Sequence, residues 1–156
     1  MVGQSRWRVM APIGAVLVTA GCAGGSGGPV SNLDARMQQG LAPQAAMHQA
    51  NVQAIPDGTR ITLADDALFS PGSATLDEQG RFVLASVIQG LLAPRLMSIE
   101  MTPSAGSSAY LQEARVQAVR QFFIDYELGP ELAAGSEPGT QQAFTITVHV
   151  RRRRPG

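Results

Sequence analysis

Few side chains in this sequence belong to the types that catalyse reactions or bind metals. The 156 residues include a single cysteine, Cys22, and two widely separated histidines, His48 and His149. One cysteine excludes an intrachain disulfide and a thiolate cluster, and the two histidines give little support to a zinc site or a Ser-His-Asp triad. Asp65 and Asp66 are adjacent carboxylates, but adjacent strand residues point to opposite faces and cannot act on one bond. We therefore expect a protein that is not an enzyme and uses no cofactor.

The charged residues are balanced over the whole chain but unevenly placed along it. Twelve basic and twelve acidic side chains give a net charge of 0, which argues against nucleic acid as a partner. Residues 52–150 carry five Arg against eleven acidic residues, a net charge of −6, and the run Arg151 to Arg154 adds +4. The basic tail, 151–156, is either a solvated terminus or an electrostatic contact to an anionic surface.

The first residues have the composition of an export signal. Arg6 and Arg8 form a positive start, and Val9 to Ala20 form a short apolar stretch. Small residues then lead to Cys22. This pattern is typical of a secretory signal peptide, and it predicts that residues 1–21 are removed.

The position of Cys22 resembles the lipobox of bacterial lipoproteins. It follows Thr19-Ala20-Gly21 directly, although the family usually has Leu where Thr19 stands. The resemblance implies that the Cys22 thiol and the new amino terminus are acylated, with palmitate among the acyl chains, so that the membrane is a partner through a lipid anchor. Ala23 stands where Asp would resemble an inner-membrane retention signal. We therefore expect the outer membrane, with the rest of the chain facing the periplasm.

The segment after the cysteine looks like a tether. Residues 23–31 read AGGSGGPVS, a flexible linker composition. Beyond them, three apolar residues could line one face of a helix: Leu33, Met37 and Leu41. Gly40 and Pro43 interrupt that helix, and short isolated helices are unstable in water. We predict that residues 22–51 form a tether with one marginal helix.

Residues 52–150 alternate between strand and helix patterns. Period-two alternation predicts strands at Arg60–Leu63, Leu96–Thr102 and Ala143–Val150. Apolar residues at three- and four-residue steps predict helices from Ser73 to a stop at Pro94, and from Ala109 to Glu127. The order predicts an α/β (α+β) fold, a two-layer βαβαβ sandwich with a small mixed sheet and two main helices on one face.

Two stretches in this region resemble OmpA-like peptidoglycan-binding domains. In Ile61 to Leu92, the family's Leu-Phe, Gly-Ser-Ala-x-Leu and following Gly are matched by Leu68, Phe69, Gly72, Ser73, Ala74, Leu76 and Gly80. Ser73 is placed to cap the helix that follows. The second stretch, Leu111 to Val119, is similar to the family's Leu-Ser-x-x-Arg-Ala-x-x-Val helix. The resemblance implies an OmpA-like domain over residues 52–150 and peptidoglycan as a partner.

The resemblance also suggests a binding site and shows where this sequence departs from it. In the family, a loop Asp accepts the ammonium of diaminopimelate, and a helix Arg binds a carboxylate, as Arg115 would here. The loop after the second predicted strand has no Asp, and Glu100, which faces either the pocket or solvent, is the nearest acid. The candidate ligand-binding residues are Arg115, Thr102, Ser104 and Glu100. Alternatively, Arg115 lies over apolar surface with its charged end in water.

These observations leave two hypotheses for the function. The first is an outer-membrane-anchored periplasmic lipoprotein that binds peptidoglycan weakly and non-covalently. The second is a structural or accessory lipoprotein of an envelope or secretion complex, which uses the same fold to contact proteins and does not bind peptidoglycan.

Overall fold

The computed structural model describes residues 29–91, 97–126, 132–134 and 143–150, which form a single sheet with helices packed on one face. The helices are α1 (Pro29–Gly40), α2 (Ala42–Ala46), α3 (Asp65–Leu68), α4 (Glu78–Gly90) and α5 (Ala109–Asp125). The strands are β1 (Ala50–Ile55), β2 (Gly58–Ala64), β3 (Met97–Thr102), β4 (Leu132–Ala134) and β5 (Ala143–Val150).

The sheet has five strands in the order β1-β2-β5-β3-β4. The first four are antiparallel to their neighbours, and β4 is parallel to β3. Alternate side chains of β2, β3 and β5 are buried against the helices, as period two requires, and the others lie on the outer face. The two-layer α/β architecture predicted from the sequence is therefore confirmed, and β1 and β4 are strands that the sequence pattern did not indicate.

Helix α5 begins where the sequence predicts, but α4 begins later. Ser108 caps α5, its hydroxyl accepting a hydrogen bond from the Leu111 amide at 3.2 Å. The predicted cap at Ser73 is wrong, because α4 starts at Glu78 with Asp77 as its N-cap, and the Asp77 carboxylate accepts from the Gly80 amide at 2.6 Å. At this position a carboxylate accepts a hydrogen bond from a backbone amide that has no partner within the helix, and its negative charge interacts favourably with the helix dipole. Ser73 lies five residues before the first residue of α4 and does not cap it.

Helix α1 corrects the prediction that residues 22–51 form a tether. Its apolar residues Leu33 and Met37 are buried in the domain core, together with Leu41 just after it. The hydroxyl of Thr59 in β2 donates a hydrogen bond to the Asp34 carboxylate. The instability of short helices applies to helices alone in water, whereas α1 packs against α4, β1 and β2. The described fold thus includes residues 29–51.

The hydrophobic core lies between the sheet and the helices. Its largest fully buried side chains include Phe69, Phe123 and Phe144, and the rings of Phe69 and Phe144 meet edge to face at a centroid distance of 6.0 Å. Within the described residues, no helix is long and apolar enough to cross a membrane.

Candidate functional site

Arg115 is held inside the domain by three different contacts. Its Nη1 donates to Oδ2 of Asp65 at 2.6 Å, and its Nε donates to the carbonyl oxygen of Ser73 at 3.0 Å. Its Cζ lies 4.9 Å from the ring centroid of Phe69, within cation–π range. Only 6% of the residue is exposed. The alternative in which the guanidinium lies in open water is therefore wrong.

Asp65 is the residue on which the site converges. It is the first residue of α3, directly after β2, and its side chain is 28% exposed. The Oδ2 that pairs with Arg115 also accepts a hydrogen bond from the Ser104 hydroxyl at 2.5 Å. Ser104, in the loop between β3 and α5, is buried. The cluster formed by Asp65, Ser104 and Arg115 therefore joins three separate parts of the chain, and we refer to it as the Asp65–Arg115 cluster.

Each charged partner in this cluster keeps some unused hydrogen-bonding capacity. The Oδ1 atom of Asp65 is buried and has no hydrogen-bond partner among the described residues. The hydrogen bonds that Arg115 makes among the described residues use Nη1 and Nε, and none uses Nη2. A carboxylate oxygen accepts from an ammonium group, and a guanidinium edge donates to a carboxylate. The cluster therefore offers one group of each kind to a ligand that carries both charges.

Asp65 is a candidate site residue that the sequence patterns do not indicate. Asp65 and Asp66 were expected on a strand, but they open the short helix α3. Asp65 therefore turns toward Arg115, whereas Asp66 is exposed. The family resemblance places an acid in the loop after the second predicted strand. The acid that contacts Arg115 in the structure comes instead from the segment before Phe69, 50 residues away from Arg115. Sequence spacing gives no signal for this contact, because it joins residues that are 50 positions apart.

The other predicted site residues divide into two groups. Ser104 belongs to the cluster, whereas Thr102 ends β3 and makes no hydrogen bond to it. Glu100 does not belong to it either, because its side chain is 49% exposed on the outer face of the sheet. Of the two orientations expected for Glu100, toward the pocket or toward solvent, the structure shows the one toward solvent. Cys22 and the basic tail 151–156 lie outside the described residues.

A second polar cluster lies on the outer face of the sheet. Nδ1 of His149 is 2.8 Å from Oδ2 of Asp57, and its Nε2 is 3.7 Å from Oε2 of Glu100. The three residues come from the β1–β2 turn, β3 and β5, so sequence spacing could not indicate that they meet. Within the described ranges, no group of three His, Cys, Asp or Glu side chains is placed to hold a metal ion.

An open cleft is lined by residues of α5, of α4 and of the segment between α3 and α4. Its volume is about 430 Å³, and one wall is the segment that follows Ser73. The rings of Phe122 and Tyr126 lie within it at a centroid distance of 4.9 Å. Its charged lining residues are Arg81 and Asp125. The cleft is mainly apolar, and its entrance is wide.

Comparison with known proteins identifies the fold. No protein-family model and no curated protein sequence matches the chain. Among solved structures, the cell wall anchor of the type VI secretion system (T6SS) from Pseudomonas aeruginosa is similar with a TM-score of 0.61 at 14% identity, over 76% of this chain and 99% of that one. A putative MotB-like protein from Desulfovibrio vulgaris gives 0.57 at 17% identity, over 78% of this chain and 97% of that one.

A third similar structure is the periplasmic domain of MotB from Helicobacter pylori, with a TM-score of 0.52 at 15% identity over 66% of this chain and 80% of that one. These similarities, at low sequence identity, concern the fold. The fold that the resemblance to OmpA-like domains implies is thus confirmed, and the chain shares it with these structures.

Proposed function

We propose that this chain is a cell-envelope protein whose OmpA-like domain binds peptidoglycan non-covalently through the Asp65–Arg115 cluster. The observation that carries the proposal is the buried Oδ1 of Asp65, an acceptor without a partner among the described residues, next to a guanidinium. The sequence departs from the family by lacking an acid in the loop after β3, and Asp65 supplies a carboxylate at Arg115 from another segment. In the family, an Asp and an Arg bind the ammonium and the carboxylate of diaminopimelate, and we assign these two roles to Asp65 and Arg115.

The same geometry explains why the proposed binding is weak. Arg115 already donates from Nη1 and Nε to groups within the domain, so a ligand carboxylate can accept a hydrogen bond mainly from Nη2. Oδ1 of Asp65 is buried, so a ligand ammonium reaches it only after neighbouring atoms move, and that movement reduces the net binding energy. The proposed activity is recognition alone, without a catalytic step.

Sedimentation with purified peptidoglycan tests this proposal. The full chain in mild detergent should sediment with the wall fragments, and Asp65→Asn should leave most of it in the supernatant, because the amide no longer attracts an ammonium. Asp66→Asn is the matched control, since it removes the same charge from the exposed neighbour. Circular dichroism confirms that each variant is folded. Equal sedimentation of the two variants would contradict the role of Asp65.

The anchor is a separate part of the proposal. We infer that Cys22 carries the lipid and that the domain extends from the outer membrane into the periplasm. Support comes from the leader, the position of the single cysteine and the Ala that follows it. Labelled fatty acid should be incorporated into the wild-type chain and not into Cys22→Ser. Equal labelling of both would show that the thiol is not the acylation site.

A second candidate function is protein recognition within an envelope or secretion complex. The observation that favours it is the internal pairing of Arg115, which leaves the guanidinium 6% exposed and already neutralised by Asp65. One structure with a similar fold is the cell wall anchor of a secretion system. Crosslinking in intact cells distinguishes the candidates. A specific periplasmic protein partner, found together with a chain that does not sediment with peptidoglycan, would favour this second function over the first.

A further inference from the structure

Strand β1 is an edge of the sheet that lacks the usual protection. It pairs with β2 on one side and, among the described residues, with no strand on the other. Its sequence, ANVQAI, has no charge and no proline, and its register with β2 contains no bulge. Natural edge strands are usually short, charged, bulged or covered, because open backbone groups pair with other chains. The opposite edge, β4, has only three residues, whereas β1 has six.

The register shows which backbone groups of β1 are open. The Ala64 amide donates to the Gln49 carbonyl, so this pair, which continues the β1–β2 ladder, is hydrogen-bonded. Antiparallel pairs alternate between hydrogen-bonded and non-hydrogen-bonded. Residues 51, 53 and 55 therefore direct their amides and carbonyls toward β2. Residues 50, 52 and 54 direct theirs away from the sheet, toward the open edge.

The side chains of β1 also sort by face. Ala50 and Val52 are half-buried and pack against the core. Asn51 and Gln53 lie on the outer face and are exposed. A strand added at this edge must therefore match small apolar residues on one face and neutral amides on the other.

We propose that β1 pairs antiparallel with β1 of a second copy of this chain, about a two-fold axis at Val52. In this register Val52 lies opposite Val52 of the second copy, and Ala50 lies opposite Ala54. All these residues carry outward backbone groups and lie on the same face, as an antiparallel pair requires. The outer face then places Asn51 opposite Gln53. The pairing would join the two sheets into a continuous one.

The choice of a second copy rests on this self-complementarity. An isologous interface needs a surface that fits itself under a two-fold rotation. Centring the axis on Gln53 would oppose Ala50 to Pro56, which has no amide, and would leave only the Val52–Ala54 pairs hydrogen-bonded. With the axis at Val52, the outward backbone groups of residues 50, 52 and 54 meet those of the second copy, and apolar side chains lie opposite apolar side chains. No two like charges lie opposite each other, an arrangement that would be destabilising. This inference does not depend on peptidoglycan binding.

Disulfide trapping tests the register directly. In the proposed dimer, Asn51 and Gln53 of the second copy form a non-hydrogen-bonded pair with Cα atoms about 4.5 Å apart, which is within disulfide range. The full chain is used in detergent, with Cys22→Ser to remove its native thiol. Mixing Asn51→Cys with Gln53→Cys should give crosslinked heterodimers under mild oxidation. Each variant alone should crosslink far less, because neither cysteine faces its own equivalent.

A proline substitution tests the hydrogen bonds. The Ala54 amide points to the open edge, so Ala54→Pro removes no bond to β2, and proline is tolerated at such positions. Sedimentation velocity across a concentration series should show a dimer dissociation constant raised by about tenfold or more, since each copy loses a bond to the other. Ala54→Ser, which keeps the amide, is the matched control and should dimerise like the wild type.

Three results would overturn the proposal. The first is a wild-type chain that stays monomeric throughout the series. The second is an absence of heterodimers in the mixed cysteine experiment. The third is a monomer whose amides at 50, 52 and 54 exchange slowly with solvent hydrogen, which would show that the edge is covered by another strand and not by a second copy.

Discussion

Arg115 illustrates how a cation is kept inside a small domain. Burying a guanidinium costs hydration energy, which must be offset by an opposite charge and by filled hydrogen-bonding positions. Asp65 supplies the charge, the Ser73 carbonyl takes a second donor, and the Phe69 ring faces the guanidinium. Ser104 then fixes the carboxylate. The arrangement suits a site that is preorganised for charge recognition and also contributes to holding α3 and α5 together.

The stability losses from removing Asp65 and Arg115 should not be additive. We expect Arg115→Met to lower the free energy of unfolding by about 2–4 kcal/mol, because a half-buried Asp65 carboxylate loses its partner. Asp65→Asn should cost less, since the amide oxygen still accepts from Ser104. The double variant should lose less than the sum of the two single losses. Urea denaturation followed by circular dichroism measures all three values.

The control for this cycle is Asp66→Asn, at an exposed position where the loss should stay within about 0.5 kcal/mol. Strictly additive losses at Asp65 and Arg115 would show that the two side chains are not coupled, in spite of the 2.6 Å contact between them.

At the scale of elements, the junction of α3 and α4 depends on a glycine. Gly80 lies in the first turn of α4, and a Cβ there would overlap the backbone carbonyl of Leu68 in α3. The amide of Asp77 donates to the same carbonyl at 3.2 Å. The close approach of the two backbones thus explains the glycine that the sequence shares with OmpA-like domains.

We expect Gly80→Ala to destabilise the chain by about 2 kcal/mol or more, because the obstacle is rigid backbone and one helix must move away. Gly40→Ala, at the end of α1, is the matched control: the nearest atom to its Cβ is the Ser86 carbonyl oxygen at an ordinary 3.6 Å. Thermal unfolding of both variants provides the comparison. A Gly80→Ala midpoint equal to that of the control would contradict the close packing of α3 on α4.

A methionine pair tests whether α1 belongs to the folded domain. Met37 in α1 is 1% exposed, whereas Met47, just after α2, is 54% exposed. Met37→Ala should lower the free energy of unfolding by about 2–4 kcal/mol through the cavity that it leaves, and Met47→Ala should have little effect. Chemical denaturation of the two variants measures the difference. Equal and small losses would support the tether that the sequence predicted.

The elements that the sequence predicted well are those whose pattern is local. The alternation of β5 and the periodicity of α5 are visible within the segments themselves. Helix α1 was underestimated because its stability comes from residues far along the chain. Strand β1 was missed because ANVQAI, although it alternates, contains Ala and Asn, which are depleted in strands. Asp65 was misplaced because its role depends on a contact 50 residues away, which no spacing rule specifies.

At the scale of the whole molecule, charge is separated along the chain. Residues 52–150 carry a net charge of −6, and Arg151 to Arg154 carry +4. An acidic domain is repelled by the anionic surfaces of an envelope, whereas a basic segment is attracted to them. In the proposed arrangement, the lipid at Cys22 holds one end of the molecule, and the tail provides a second, salt-sensitive contact.

Neutralising this tail should weaken attachment without changing the fold. Replacing Arg151 to Arg154 by Gln leaves the described core untouched and removes four positive charges. Sedimentation with peptidoglycan and with anionic lipid vesicles should fall at low ionic strength. The difference from the wild type should shrink as salt is raised to about 0.15 M, where the screening length is about 8 Å.

The control is Arg60→Glu, which reverses an exposed charge, since it changes the net charge on the outer face of the sheet rather than in the tail. If both variants lost the same attachment, net charge would be responsible and the tail would have no role of its own, whereas a loss confined to the tail variant would establish it as the electrostatic contact.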